Sequence, residues 1–398
     1  MIFRDDNTET SKDSKEEEPT KITPFHVENK NKKAINYDHV IELFGCLKIQ
    51  HSLFEEFSRI TGKKLHRFMR RELCYAHRDF NVLLKHVEEG KKVYLYTGRG
   101  PSSKSLHLGH CLPFILCVYF QKIFKCHVVI QITDDEKYLY KDFIKSREQI
   151  KEYAIENIKD IIAFGFDPKL TFIFMNSESM PILIENYLRI CKVTKVSEIL
   201  PVFGFDDKLT NIGMISFPAL QMAPAYASTF DFLDKDALCL IPCAIDQDPY
   251  FRLVRDKAVI LKEKKPTSLY VKLLPDLCGH HKKMSSSTDS TPIFLNDTKE
   301  MIAKKIMNNA FSGGQATLKD HRKYGGNPEV DMSFHYLRYF LEDDNELAAI
   351  KESYSKGIMT SIELKKKCID TITEFVENFK KERSKIDEKI YKIFTKKK

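Results

Sequence analysis

Between Lys92 and Ala244 short apolar runs alternate with longer amphipathic stretches, and this alternation predicts strands interleaved with helices. Lys92–Tyr96, Cys126–Thr133, Leu170–Met175 and Ala237–Ala244 are short, apolar and rich in β-branched, aromatic or thiol side chains, the signature of strands buried on both faces. Cys111–Phe124, Ser146–Phe164 and Ile182–Val196 space their apolar residues as helices do. Gly165 stops the second of these helices, and Asp167-Pro168 opens the turn to the next strand. Strand–helix alternation of this kind argues for an α/β fold with a doubly wound parallel sheet.

The flanks have different patterns. Residues 1–33 are polar and charged, with EEE at 16–18 and KNKK at 30–33 and no periodicity, so they read as a disordered arm. From 34 to 90 the apolar positions turn helical (Val40, Ile41 and Phe44; Leu53, Phe54 and Phe57; then Phe68 and Leu73), predicting a helical segment ahead of the α/β domain at 91–297. Lys63, Lys64, His66, Arg67, Arg70 and Arg71 cluster there, either as a solvated face or as a contact for an RNA backbone. After Asp297 strand patterns cease. Ile302, Ile306, Ala310 and Phe311 share one face, Tyr336, Leu337, Phe340 and Leu341 another, and Cys368, Ile369, Ile372, Phe375, Val376 and Phe379 a third, so 298–398 reads as an all-helical domain.

Composition narrows the setting. The 398 residues, 42% of them hydrophobic, can supply a sizeable core, and the net charge of +8 suits a partner bearing phosphates. The ten cysteines form no CxxC pair and give no zinc ligand set. Several lie in apolar runs, as thiols do in a reducing compartment. No apolar run approaches a membrane span, and Met1-Ile2-Phe3-Arg4-Asp5 does not start a signal peptide, which makes the cytoplasm the expected location.

The candidate chemistry centres on Tyr96–His110, YTGRGPSSKSLHLGH. A strand, a Gly/Pro/Ser-rich loop and a helix start form a phosphate site, because free backbone N–H groups and the positive end of the helix face the anion. His107 and His110 fall near one face of the first turn, and Gly109 between them leaves flat space for a purine. Far downstream, Lys283-Met284-Ser285-Ser286-Ser287 follows an apolar strand-like run and a polar Gly/His/Lys loop; one lysine with several hydroxyls on a mobile loop suits a clamp on pyrophosphate. Gln131 lies within an apolar strand, where its amide needs either a core hydrogen bond or a ligand.

HLGH early and KMSSS late, in that order on an α/β chain, resemble the class I aminoacyl-tRNA synthetases. Short spacing between the motifs and a compact helical C-terminal region narrow the resemblance to the tyrosyl/tryptophanyl branch. The strings YTGRGPSS, VIQITDDEKY, ISFPALQMAP, IPCAIDQDPYF, IFLNDT, FSGG and YGGNPEVDMSFHYL are similar to the eukaryotic cytosolic tryptophanyl-tRNA synthetases, from about Asp38 to the end. The N-terminal extension of that family is replaced here by the polar arm.

The resemblance implies a Rossmann-type catalytic domain, an anticodon-binding helical domain and ATP-dependent attachment of L-tryptophan to tRNA(Trp). It places Tyr96 and Gln131 at the indole nitrogen and Glu136, Gln221 and Gln247 around the amino-acid head. ATP falls to Arg99, His107, Gly109, His110, Lys137, Lys283, Met284 and Ser285, with His107, His110, Lys283 and Arg99 carrying the catalysis. Magnesium is expected through the ATP phosphates rather than on protein ligands. A homodimer is also implied, with neither membrane nor DNA as partner. Ser286 stands where the general motif has a second lysine, a departure that Arg99 or Lys137 could offset. No anticodon reader is assigned, since Gln315 and Ala316 follow Gly314 where a charged pair would be the obvious candidate. Tyrosyl-tRNA synthetase and a non-catalytic RNA-binding or signalling relative are the alternatives.

Overall fold

The structure, a computed structural model, describes residues 21–22, 27–28, 35–140, 146–206, 208–285 and 291–396, the side chains at 21–22, 27–28 and 280–282 excepted. A seven-stranded sheet organises it. The strands of the chain are β1 (Lys21–Ile22), β2 (Val27–Glu28), β3 (Leu47–Lys48), β4 (Cys74–Arg78), β5 (Val93–Arg99), β6 (His127–Ile132), β7 (Thr171–Met175), β8 (Leu238–Ala244), β9 (Thr267–Val271), β10 (Pro275–Asp276) and β11 (Gly279–Lys283). The large sheet runs β3-β4-β9-β8-β5-β6-β7.

From β9 to β7 all neighbours are parallel, as the strand–helix alternation predicts. Each strand feeds its two faces into two separate cores, in keeping with the two-residue period of a pleated strand. Val93 and Leu95 of β5 join one core with Val128, Ile130, Leu238 and Leu240; Tyr94 and Tyr96 join the other with Val129, Phe172, Phe174 and Ile241. Because β8 and β6 flank β5 on opposite sides, the chain leaves the centre of the sheet in two directions. The crevice beyond the carboxyl ends of these strands is where open α/β sheets bind ligands.

The 34–90 segment is not purely helical. Its helices α1 (Tyr37–Phe44), α2 (His51–Thr61), α3 (Arg67–Arg70) and α4 (Phe80–Glu88) are joined by β3 and β4, which extend the sheet antiparallel beyond β9. Cys74–Arg78 contains a histidine, an arginine and an alanine, which hides its strand character in the sequence, yet four of its five residues are buried. In the basic cluster Lys63 and Lys64 are exposed, as a solvated face would be, but the three arginines are engaged inside the protein. Arg67 donates to Tyr339 O (2.6 Å) and pairs with Glu342 (2.5 Å), Arg70 and Arg71 both reach Asp344, and Arg71 also donates to the carbonyls of Arg338, Leu341 and Glu342. These arginines satisfy the carbonyls at the end of a C-terminal helix and fasten the segment to it.

The remaining helices of the α/β region are α5 (Leu108–Phe124), α6 (Glu136–Tyr140), α7 (Arg147–Ile162), α8 (Asn176–Val193), α9 (Val196–Phe203), α10 (Ile212–Met222) and α11 (Asp248–Leu261). The described part of 298–398 contains α12 (Lys299–Asn309), α13 (Leu318–Tyr324), α14 (Met332–Phe340), α15 (Asp344–Ser355), α16 (Ser361–Arg383) and α17 (Glu388–Thr395). Ile302, Ile306, Leu337, Ile372 and Val376 from these helices belong to the same core as Leu95 and Val128, so the helical region packs onto the sheet domain without a break in the apolar interior.

The expected disordered arm lies mostly outside the described residues. Within it, β1 and β2 pair antiparallel, and Glu28 of β2 pairs with Lys282 of β11, so these positions are extended strands. Gly279–Lys283, expected as a loop, is strand β11, paired with β10. Its polar residues conceal a hairpin strand whose pairing supplies the order that apolar burial supplies elsewhere. No helix among the described residues is long and apolar enough to cross a membrane.

Candidate active site

β5 delivers the first part of the site at its carboxyl end. Arg99 is its last residue, and α5 starts at Leu108 with His107 as the residue before its first turn. The His107 and His110 rings stack with centroids 3.4 Å apart. Arg99 Nη1 donates to His110 Nε2 (2.9 Å), and Arg99 Nε to Asn157 Oδ1 (3.0 Å). The His107 backbone N–H meets His110 Nδ1 (3.3 Å). Together these contacts ask one imidazole to accept at both nitrogens, which a neutral ring carrying one N–H cannot do. An anion that drew the guanidinium away would let Nε2 hold the proton and donate it.

Burial holds both imidazoles well below the ordinary histidine pKa, and the nearby Arg99 and Lys283 cations push the same way. Both rings are therefore neutral at pH 7. Burial brings Arg99 down to about 10, opposed by Glu136 and Asp160, so it stays a cation. Arg99 Nη2 and His107 Nδ1 are buried and without a hydrogen-bond partner among the described residues. Buried polar groups are seldom left unpaired without a functional reason.

The loop is braced from outside. Asn157 Nδ2 donates to Ser103 O (2.8 Å), and Asp160, one turn along α7, accepts the Leu106 N–H (3.2 Å) and pairs with Arg383 of α16 (2.8 Å). Residues 293–295 run beside 106–108, with Leu108 N to Ile293 O at 3.0 Å and Leu295 N to Leu106 O at 2.9 Å.

The downstream motif meets the upstream one. A Cβ on Gly109 would lie 3.1 Å from His107 Cε1 and 3.7 Å from Met284 Cβ, so this residue must be small where the two segments adjoin. Lys283 Nζ pairs with Asp246 Oδ2 at 2.5 Å, beside the carboxyl end of β8. Met284 is buried and ties to Leu274 O through its N–H (2.9 Å). Ser285 is half-buried beside it, while Ser286 and Ser287 lie outside the described residues.

The second part of the site is a hydrogen-bonded cluster of polar side chains on the tyrosine face of the sheet. The Tyr96 hydroxyl lies 2.6 Å from both Gln131 Oε1 and Gln221 O, and it can donate to only one of them at a time. Gln131 is fully buried; its Nε2 donates to Asn176 Oδ1 (2.7 Å) and Leu220 O (3.2 Å). Gln221 Nε2 reaches Gln247 Oε1 at 3.2 Å. The Phe251 ring meets Tyr96 edge-on at 5.9 Å. Glu136 accepts from Thr133 (3.1 Å) and pairs with Lys137 (2.7 Å). A Cβ on Gly100 would lie 2.8 Å from Lys137 Cε, which places the Glu136–Lys137 pair against the phosphate-side loop.

All thirteen residues expected at the site thus fall into one connected region around the ends of β5, β6 and β8 and the HLGH turn. Four neighbours escaped the sequence reading: Asp246, Asn157, Asp160 and Asn176. Asp246 sits inside the string IPCAIDQDPYF and had a signal, its place at a strand end; the two residues of α7 and Asn176 look like ordinary helix positions. Among the described residues, no group of three or more His, Cys, Asp and Glu side chains is arranged to hold a metal ion.

Comparison with known proteins gives the family. Residues 88–377 match the family model of the tRNA synthetases class I (W and Y). The chain is 48% identical over 378 residues to a tryptophan–tRNA ligase of Encephalitozoon cuniculi, covering 94% of this chain and 97% of that one. It is 43% identical over 388 residues to the cytoplasmic tryptophan–tRNA ligase of Homo sapiens, covering 96% of this chain and 82% of that protein. A crystal structure of tryptophanyl-tRNA synthetase from Encephalitozoon cuniculi bound to tryptophan superposes with a TM-score of 0.85 over 92% of this chain and 98% of the other. The chain belongs to the class I tRNA synthetases of the tryptophan and tyrosine branch.

Proposed function

We infer that this protein activates L-tryptophan with ATP and transfers it to tRNA(Trp). The observation that carries the reading is the meeting of the HLGH turn with Lys283-Met284 at Gly109, on the same sheet end as the hydrogen-bonded Tyr96–Gln131 pair. Tryptophan presents one donor on a large apolar ring. Tyr96 and Gln131 offer oxygens to that N–H, and Glu136, Gln221 and Gln247 surround the ammonium and carboxylate. A pocket built around one buried polar contact can reject an analogue lacking it by about 10⁴–10⁵.

In the first step the tryptophan carboxylate attacks the α-phosphorus of ATP in line, forming tryptophanyl-adenylate and releasing pyrophosphate. In the second, the terminal ribose hydroxyl of the tRNA attacks the activated carbonyl and AMP leaves. Neither step uses a covalent protein intermediate, so the protein acts by positioning and by stabilising phosphate charge. His107 and His110, neutral and buried, donate to the α-phosphate as it becomes five-coordinate. Arg99, Lys137 and Lys283 balance the triphosphate charge, with Ser285 beside the leaving pyrophosphate and Gly109 and Met284 lining the nucleotide. Arg99 Nη2 and His107 Nδ1 support this assignment, since both are buried polar atoms without a partner among the described residues. Magnesium carried by the ATP phosphates would neutralise part of their charge, with Arg99, Lys137 and Lys283 supplying the rest from the protein.

The arm at 1–33, the 34–90 segment, the catalytic domain at 91–297 and the anticodon-binding domain at 298–398 are retained as the division of labour. Cytoplasmic location is supported by the ten free cysteines and the named cytoplasmic relatives. A homodimer is supported by large apolar side chains left exposed on helices that pack together: Ile184 and Leu188 of α8, Ile212 of α10, and Val259 and Ile260 of α11. ATP–pyrophosphate exchange driven in turn by tryptophan and tyrosine tests the function. Tryptophan should drive it; exchange with tyrosine alone would favour the tyrosyl reading.

A further inference from the structure

A line of hydrogen bonds runs from Asp135 through Asn176 and Gln131 to Tyr96. Asn176 Nδ2 donates to Asp135 Oδ1 (2.8 Å), Gln131 Nε2 donates to Asn176 Oδ1 (2.7 Å), and Tyr96 approaches Gln131 Oε1 (2.6 Å). Gln131 and Asn176 are almost wholly buried, so water does not supply alternative partners. The polarity of the line is fixed at its far end. An ionised carboxylate only accepts, so Asn176 must turn its NH₂ to Asp135 and its oxygen to Gln131. Gln131 must then turn its own NH₂ to Asn176 and its oxygen toward Tyr96. Leu220 O, 3.2 Å from the same Nε2, supports that orientation from a second side.

Resting on the tryptophan reading above, we propose that Asn176 and Asp135 are positioning residues for amino-acid selection: they lock the Gln131 amide with its oxygen toward Tyr96, so that this oxygen accepts a hydrogen bond from the indole. With the amide reversed, an N–H would face the indole N–H, and each would lose its partner, at a cost of about 1–3 kcal/mol per buried group. The residues act through Gln131 and do not touch the reacting atoms.

The lock depends on the charge of Asp135. Burial raises that carboxyl to about 6, and Asp134 pushes it the same way; the Asn176 amide and the backbone N–H groups of Asp135 and Glu136 oppose the rise. Among the described residues, Tyr140 of α6 faces it besides Asp134 and the adjoining Glu136, and is itself raised and neutral at these pH values. A protonated Asp135 can donate, so Asn176 is free to turn and the constraint on Gln131 slackens.

The test is the ratio of kcat/KM for L-tryptophan to that for β-(3-benzothienyl)-L-alanine, in which sulfur replaces the N–H. It is measured by ATP–pyrophosphate exchange with the full-length protein between about pH 5.5 and 7.5. Taking the ratio cancels any loss of active protein and any titration common to both substrates, so a partly misfolded variant still reports. The wild-type ratio should fall a few-fold toward low pH. Asn176→Ala should lower it about tenfold at pH 7.5, the loss of roughly one hydrogen bond's discrimination, and abolish the pH trend. Asp135→Asn should also abolish the trend. Ratios within twofold of wild type at every pH in both variants would overturn the proposal while leaving the function intact. Absence of tryptophan-driven exchange in the wild type would instead overturn the function, and the proposal with it.

Discussion

Lys283 Nζ and Asp246 Oδ2 stand 2.5 Å apart, joining the end of β11 to the strand end that also carries Gln247. The ion pair holds the downstream cation over the crevice, facing the histidine turn. It brings a lysine 173 positions after His110 close enough to act on the charge of both imidazoles.

Replacing that lysine separates its two possible roles. Lys283→Ala should reduce tryptophan-driven exchange by about 10²–10³, the usual cost of removing one donor to developing phosphate charge. Tryptophan affinity should stay within about twofold. The chain contains no Trp, so the fluorescence of added tryptophan reports binding against little protein background. A matching loss of tryptophan affinity would place Lys283 in the amino-acid pocket instead.

Gly109 lies where the two motifs adjoin. In Gly109→Ala the new methyl would crowd His107 at 3.1 Å and approach Met284. Exchange should fall at least about tenfold through a rise in the KM for ATP, since small displacements of a positioning group cost up to about 10². Steady-state kinetics with ATP varied decides this, and an unchanged KM would mean that the crowding is absorbed elsewhere.

Acid stability follows from buried titrating groups. Burial is the largest cause of the lowered pKa in His66 (about 3), His77 (about 4), His107 and His110. As the pH falls below about 6.5, the unfolded chain takes up these protons and the folded chain does not, so stability declines. Asp135 and Asp160, raised to about 6, act oppositely: below that pH the folded chain binds protons that the unfolded chain still lacks. Four groups outweigh two, and each net proton is worth about 1.4 kcal/mol per pH unit. Tm measured from pH 7 to about 5 should therefore fall; a flat or rising Tm would show that the histidines are protonated in the folded state.

The arginines of α3 and Arg71, its C-cap, should matter for stability rather than for RNA. Arg71→Ala removes donors to three carbonyls and to Asp344 and should destabilise the protein by about 2–3 kcal/mol, in the range for hydrogen bonds from a charged group. Exposed Lys63→Ala should change stability by less than about 0.5 kcal/mol. Urea denaturation compares the two. If Arg71→Ala instead left stability alone and weakened tRNA binding, the phosphate-contact reading of this cluster would return.

What the sequence disclosed depended on whether a residue's type betrayed its task. Tyr96, His107, His110 and Lys283 stood out because polar or small residues interrupt apolar runs at strand and helix ends. Four of the five parallel strands, β5 to β8, were legible because burial on both faces makes them largely apolar, whereas β9, opening on Thr267-Ser268, showed only as a strand-like run without bounds. β4 and β11 were hidden because Arg78 and the Gly-His-His-Lys run of 279–282 mask strands that are held by pairing. Asn176 and Asp160 carried no local signal: each is a short polar residue on a helix, and only the packing of α8 or α7 against the sheet reveals what it holds. The arginines of α3 and its C-cap misled because charge clusters suggest solvent or phosphate, whereas their partners lie some 270 residues away in sequence.

The account requires that phosphate chemistry and indole binding reside in adjoining but separate groups. The double variant His107→Ala, His110→Ala tests this most directly, with tryptophan binding followed by fluorescence and adenylate formation by ATP–pyrophosphate exchange on one preparation. Binding should persist while exchange falls to background. Exchange at the wild-type rate in that variant would contradict the account, because the two imidazoles would then have no part in the chemistry.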